Sequence, residues 1–418
     1  MERLGSLLYT HALVAHFLET QGYTDTLETF RQEAEYFLTQ VEEDNDVPKN
    51  PSKPLISVVD DSLNAGLDDK MKKLAEDRDK DEVLNEQGDG RFPTVLANSY
   101  DTIHSGNILT AQIHHVPQED GTDQATIVSG STDRSIKLTD YNNEQTINLL
   151  THHNAAILST DFHPLHPKLL LSGGMDQTVQ LVDIETNDVL QSFKNHTRYV
   201  VKVKFSPNGQ YFASCSYDKT FNLYKTTKSD ENGYPVFELL KTFYFRGYVE
   251  AMTYTPDSSY VVVGVREDNY LYYINLENLE YEKHNMNSNG DDWVSFTPMD
   301  LSVSPDGRYL LCSTDDRSGR AILFRVRSSV QPRNFYGIPH DEFSNPRHAW
   351  HPSGKYFFAT GDDRKIRCIE VKSGKVLAVL AGHTEVIRSL SYDKKLDVLI
   401  SAGFDKTVKV WKCEDAAN

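Results

Sequence analysis

Imidazoles and carboxylates are the groups of this chain with the best claim to chemistry. His114-His115, His152-His153 and the pair His163 and His166 each place two potential metal ligands close together. A metal site needs three or more converging donors, and no carboxylate is spaced to join any of these pairs, which read as loop or strand-edge histidines. Aspartates recur at Asp133, Asp176, Asp218, Asp268, Asp316, Asp363 and Asp405, and His196 and His383 precede two of them at the same interval. An imidazole beside a carboxylate is the core of a general-base relay, so these sets need a fold before they can be judged. The chain carries no GxxxxGK[ST] loop, GxSxG elbow or HExxH helix. Cys215, Cys312, Cys368 and Cys413 lie tens of residues apart without a CxxC pair, the pattern of reduced thiols. No catalytic residue, metal or cofactor is expected.

The elements that carry these residues fit a chain of 418 residues with 39% hydrophobic and 11% aromatic content, room for one large fold and a smaller appendage. Its 43 basic and 61 acidic residues leave a net charge of −18, which repels nucleic acid and anionic lipid surfaces. Polar residues interrupt the N-terminal apolar stretch, and no later apolar run approaches the roughly 18 residues of a membrane span. An intracellular protein of the cytoplasm or nucleus is expected.

Three segments follow. Over residues 1–41, Leu4, Leu7, Leu8, Val14, Ala15 and Leu18, then Leu27, Phe30, Ala34, Phe37 and Leu38, recur at helical spacing on either side of Gly22-Tyr23. Asp25, with Glu28 three residues on, has the layout of a helix cap. Two short helices hold too little core to stand alone, so a twofold four-helix bundle with a second copy is expected. Residues 42–91 form an acidic, proline-containing linker in which Leu63, Leu67, Met71 and Leu74 mark one short helical seam. From residue 92 the recurring aspartates stand 43, 42, 50, 48, 47 and 42 residues apart, the interval of a four-stranded propeller blade. Ser206-Pro207-Asn208-Gly209, Ser304-Pro305-Asp306-Gly307 and His351-Pro352-Ser353-Gly354 are turns that would join the first two strands of a blade. Mainly β architecture with seven blades is predicted for 92–418. The last unit stops at Trp411 after three strands, and Arg91–Ala97 is the natural donor of the fourth, closing the ring.

The segment Phe17-Leu18-x-x-x-Gly22-Tyr23-x-x-Thr26-Leu27-x-x-Phe30-x-x-Glu33 resembles the LisH motif, a dimerisation module of the lissencephaly protein family and of other WD-repeat proteins, with Leu27 where Ala is usual and Phe17 where Tyr is usual. That resemblance makes Val14, Phe17, Leu18, Tyr23, Leu27 and Phe30 the expected dimer contacts. The seven units resemble WD repeats over about four-fifths of the chain. In that family a His, a Ser or Thr, the turn Asp and a Trp form a structural hydrogen-bond relay inside a blade. His383, Ser401, Asp405 and Trp411 make the full set; blade three has His196, Ser214 and Asp218 with Tyr224, and Thr139, Val182 and Ile369 stand at the Trp position in blades one, two and six.

The WD resemblance also implies a top face built from the residue before each turn Asp and the residue three after each His. The first rule selects Thr132, Met175, Tyr217, Glu267, Asp315, Asp362 and Phe404; the second selects Tyr199, Val386 and, by alignment, Tyr248. Met175, Tyr199, Tyr217, Tyr248 and Phe404 would form an aromatic arc with Lys202 and Arg347 nearby, facing an acidic arc of Glu267, Asp315 and Asp362. Such a face suits protein or peptide partners with apolar anchors and basic residues. Trp293 is a further exposed aromatic. The expected function is a LisH-dimerised, non-enzymatic scaffold. Within that class the resemblance implies either a dynein and microtubule regulator of the lissencephaly type or a subunit of a ubiquitin-ligase or chromatin corepressor complex. The Trp-Asp-x-Arg sequence that often docks a cullin adaptor is absent.

Overall fold

The computed structural model describes residues 14–15, 18–19, 23–34, 82–101, 103–118, 121–231, 233–294, 296–341 and 345–414. The chain divides into two compact units, residues 1–83 and 84–418.

In the first unit, α1 (Thr24–Glu33) buries Leu27, half-buries Phe30 and leaves Tyr23 exposed. Tyr23 occupies the N-cap with no side-chain capping hydrogen bond, and Asp25 lies inside the first helical turn. The Tyr23 N–H bonds the Leu18 carbonyl at 3.0 Å, and this link sets where the helix begins. Residues 14–15 and 18–19 are helical, with Val14 and Leu18 half-buried, and Arg31 lies 3.8 Å from Glu19. Phe17, the rest of the expected first helix and the Leu63 to Leu74 seam fall outside the described residues.

In the second unit the described residues form seven antiparallel sheets of four strands each, a seven-bladed propeller. The blades cover 108–150, 157–193, 200–244, 249–285, 298–335 and 348–381, and the seventh comprises Ile387–Asp393, Val398–Gly403, Val408–Lys412 and Val95–Tyr100. The innermost strand of each blade touches that of the next, and the first blade touches the seventh, so the ring is closed. Middle strands are buried on both faces by neighbouring blades, as in Leu169–Gly174 and Val179–Asp183, so they read as continuous apolar runs, whereas outer strands such as Val189–Phe193 are partly exposed. The three expected proline turns join inner strands to second strands, each closed by a bond from the glycine N–H to the carbonyl three residues back, at 2.9 Å.

The closing strand is Val95–Tyr100 rather than Arg91–Ala97. It pairs with Val408–Lys412, Leu96 opposite Trp411 and Tyr100 opposite Val408, with a bulge between Leu96 and Asn98. The shift has a local cause. Pro93 has no N–H to give a ladder, and Phe92 packs on the Tyr356 ring, centroids 4.9 Å apart. Just upstream, the Tyr356 hydroxyl accepts the Gly90 N–H at 2.7 Å, and a Cβ on Gly88 would fall 1.7 Å from that hydroxyl. Residues 84–94 therefore run along the outside of blades five to seven, with Leu84 buried in the blade five and six core. No helix among the described residues is long and apolar enough to cross a membrane.

Candidate functional site

The Asp-His sets settle into blade structure. In blade seven, His383 Nδ1 lies 2.7 Å from Asp405 Oδ2, Nε2 lies 2.7 Å from the Ser401 hydroxyl, and Trp411 Nε1–H donates to that hydroxyl at 2.8 Å. The same path runs through His196, Asp218 and Ser214 in blade three, where Tyr224 donates to Asn195 instead. Blades one and two hold two further relays, His104 with Asp133 and Ser129, and His153 with Asp176 and Ser172. In each of the four, the second carboxylate oxygen accepts the N–H two residues on, and the residue between is left-handed: Arg134, Gln177, Lys219 and Lys406, φ 64 to 71°. The relay thus pins a turn that costs energy in any residue but glycine. Without a His, Asp363 holds Arg367 through two bonds of 2.9 and 2.7 Å, and Asp268 accepts the Tyr272 hydroxyl.

Burial alone would raise the Asp405 carboxyl, but the His383 imidazole, the Thr384 N–H and the Thr407 hydroxyl outweigh it and hold the group at about 2, against an ordinary 3.8. A lowered folded value stabilises the fold above the unfolded pKa and loses that contribution as pH falls from about 4 toward 2. Asp405→Asn is therefore less stable than wild type at pH 7, and the gap narrows in urea titrations taken stepwise from pH 5 to pH 3. Parallel stability profiles would refute this.

The paired histidines are structural as well. His114 stacks on Phe162 with ring centroids 3.5 Å apart, its Nε2 lies 2.6 Å from the Pro167 carbonyl, and burial lowers it to about 4. His115 pairs with Asp393 at 2.9 Å. His163 accepts the Leu165 and His166 N–H groups. Among the described residues no group of three His, Cys, Asp or Glu could hold a metal ion. Burial pushes the Cys215, Cys312 and Cys368 thiols up, away from the reactive thiolate.

What remains is a surface. In all seven blades one backbone bond of 2.8 to 3.2 Å closes the same corner: Thr132 to Asn107, Met175 to Ala156, Tyr217 to Tyr199, Arg266 to Tyr248, Asp315 to Thr297, Asp362 to Pro339 and Phe404 to Val386. Glu267 is one residue past this corner, because the blade four turn is one residue longer; Arg266 takes the place that sequence alignment assigned to Glu267. Asp315 and Asp362 are half-buried and accept the Thr297 and Asp341 N–H groups at 2.6 and 2.8 Å. The acidic arc is thereby reduced to two carboxylates engaged by their own loops.

The aromatic arc does gather, at blades three and four. Tyr217 stacks on Tyr248 with centroids 5.1 Å apart and lies 6.4 Å from Tyr199, which is 45% exposed. Lys219 approaches the Tyr248 ring at 5.9 Å. Met175 and Phe404 sit at the corners of blades two and seven, with no ring contact to this cluster among the described residues. The Tyr217 hydroxyl donates to Glu250 at 3.2 Å, and Arg266 lies 3.7 Å from the same carboxylate. Burial raises the Glu250 carboxyl above its usual range. Lys202 and Arg347 do not stand on the rim. Both point into the central channel toward the buried Asp300, Lys202 at 2.6 Å across from blade three to blade five, and Arg347 at 3.8 Å while it donates to the Met299 carbonyl. Trp293 is 75% exposed in the loop before blade five. Sequence reasoning missed Glu250, Arg266, Asp300 and Arg388. For Glu250, Asp300 and Arg388 the signal was a lone charge on an otherwise apolar inner strand, as in Val249-Glu250-Ala251-Met252; Arg266, at the blade four corner, carried no such mark.

The family profile described as WD domain, G-beta repeat matches residues 144–183, 187–225, 347–370 and 374–412. These four stretches are WD repeats, and together they cover about a third of the chain. Three of these matches begin at or near the outer strand of one blade and run through the inner three of the next; the fourth covers the inner strands of blade six. Blades four and five, which lack the relay histidine, lie outside the match, as does most of blade one. Among curated relatives, nuclear distribution protein PAC1 of Arthroderma benhamiae is 32% identical over 133 residues, 27% of this chain and 28% of that protein. COMPASS component SWD3 of Saccharomyces cerevisiae is 23% identical over 109 residues, 26% of this chain and 33% of that protein. Human WD repeat and SOCS box-containing protein 1 is 43% identical over 63 residues, 14% of this chain and 15% of that protein. The matched stretches span no more than about a third of the length of each of these three relatives.

Proposed function

We propose that this protein is a non-enzymatic scaffold that holds an extended peptide of a partner protein on the rim of blades three and four, and that its N-terminal segment pairs two copies. The Tyr199, Tyr217 and Tyr248 cluster carries the reading. Tyrosines stacked on one another offer rigid amphipathic area at low entropic cost, the usual composition of an energetic centre in an interface. The ligand this surface suits has an apolar or aromatic anchor. With Arg266 at the blade four corner, the case for basic residues in the partner rests on Asp315 and Asp362 alone. Pairing would present two rims to a bivalent partner and raise its effective concentration.

The dynein and microtubule version has specific support in the LisH-like motif and in the similarity to a nuclear distribution protein. The SWD3 relative, a complex component by name, favours the chromatin version to a lesser degree because its identity is lower.

Affinity purification from the native cell, comparing wild type with the Tyr199, Tyr217 and Tyr248 triple alanine variant, tests the rim. Loss of one defined set of partners is expected; identical sets remove the rim from the function. Leu18→Asp should halve the mass seen by light scattering, and an unchanged mass refutes pairing through this segment.

A further inference from the structure

Below the tyrosine rim, the inner strands of blades one, two, three, five, six and seven enclose a half-open central cavity of about 200 Å³. Its lining is unlike the rest of a chain with a net charge of −18. Lys202, Lys204, Arg347 and Arg388 face it, against the carboxylates Asp161 and Asp300. Lys202 and Arg347 share Asp300. Asp161 accepts the Phe205 N–H at 2.7 Å, and burial raises its carboxyl above the ordinary value.

Two buried donors in this lining have no acceptor: Arg388 Nη1 and Gln112 Nε2. They come from adjacent inner strands that the Ala111 N–H and the Ser389 hydroxyl tie together at 2.9 Å. A buried donor without an acceptor is costly, and a guanidinium more so. Burial, with Arg347 nearby, lowers even the Arg388 guanidinium, to about 10. Here unmet donors and excess positive charge converge on one small cavity that opens beneath a proposed peptide rim.

We propose that the central channel is a binding site for a phosphate-type oxyanion, held by Arg388 and Gln112 with Lys202, Lys204 and Arg347 supplying the field. Such an anion satisfies both orphan donors at once, and Arg388 offers a forked pair of N–H groups that matches two of its oxygens. The anion could arrive as free inorganic phosphate or as a phosphate ester on a bound peptide. The proposal is independent of the rim reading, since the channel residues are distinct from the tyrosines.

Isothermal titration calorimetry of the full chain at constant ionic strength separates the two sources. One arm uses inorganic phosphate, a second uses the tripeptide Gly-phosphoserine-Gly, and a third uses unphosphorylated Gly-Ser-Gly. Saturable binding of one phosphate or one phosphorylated tripeptide per chain is expected, weakened about tenfold or more in Arg388→Met, as for loss of a charge-assisted bond, and less in Gln112→Met. Binding of phosphate alone assigns a free ion; binding of the phosphorylated tripeptide alone assigns an ester. No heat in either phosphorylated arm, or equal affinity in wild type and both variants, overturns the site. If Arg388→Met does not fold by circular dichroism, Gln112→Met decides, since it removes an orphan donor without touching the charge.

Discussion

Deletion of residues 95–100 from the full chain lowers its melting temperature by on the order of 10 °C. The strand is remote in sequence from the blade it completes, yet it supplies the whole fourth strand of blade seven. It carries Tyr100, 2% exposed, whose hydroxyl donates to the Tyr141 carbonyl at 2.6 Å, so it also ties blade seven to blade one. Loss of one buried aromatic costs about 3 to 5 kcal/mol, and the severed ladder adds to that. The deletion also exposes the edge of Val408–Lys412, a template for pairing with another chain. Calorimetry checks the shift and light scattering the aggregation. An unchanged melting temperature would mean that ring closure contributes nothing to stability.

Trp411→Ala destabilises the fold by about 3 to 5 kcal/mol in urea titrations, the scale of a large-to-small change in a packed core. The indole is 2% exposed in the core shared by blades six and seven, and a Cβ at Gly382 would already stand 3.0 Å from it. Truncation leaves a cavity and strips the Ser401 hydroxyl of its donor. Trp411→Phe separates the two effects. It keeps most of the volume, loses the N–H bond and should cost about 1 to 3 kcal/mol. Blade three shows that the relay survives an exchange of this kind: Tyr224 stacks on Phe212 with centroids 4.3 Å apart and bonds Asn195, while His196, Asp218 and Ser214 keep their geometry. Equal losses for Ala and Phe would shift the weight from packing to the hydrogen bond.

How legible this was depends on the range of the interactions. The 42 to 50 residue period was readable because each blade needs the same short-range device, an aspartate that accepts the N–H two residues on. His383, Ser401, Asp405 and Trp411 were readable because all four residue types are present. His104 was not, since its blade has Thr139 at the indole position and lies mostly outside the family match. His153 sat beside His152 and resembled a ligand pair until the structure joined it to Asp176 and Ser172. The closing strand was expected from the missing fourth strand, but its register waited on Phe92 finding Tyr356, a partner 264 residues away in sequence. The blade four corner moved from Glu267 to Arg266 through one extra turn residue, which alignment on the aspartate absorbed on the wrong side.

The sequence by itself determined the number of blades, their turn chemistry, the need for a strand to close the ring and the tyrosines of blades three and four. Each of these follows from patterns a few residues wide or from their repetition. Only the tertiary structure decided what stands in the channel. Lys202 meets Asp300 at 2.6 Å across 98 residues of chain, and Gln112 and Arg388 come to adjacent strands only when the ring closes. No local pattern marks such partners, because a closed ring of sheets brings together residues whose neighbours in sequence have nothing in common.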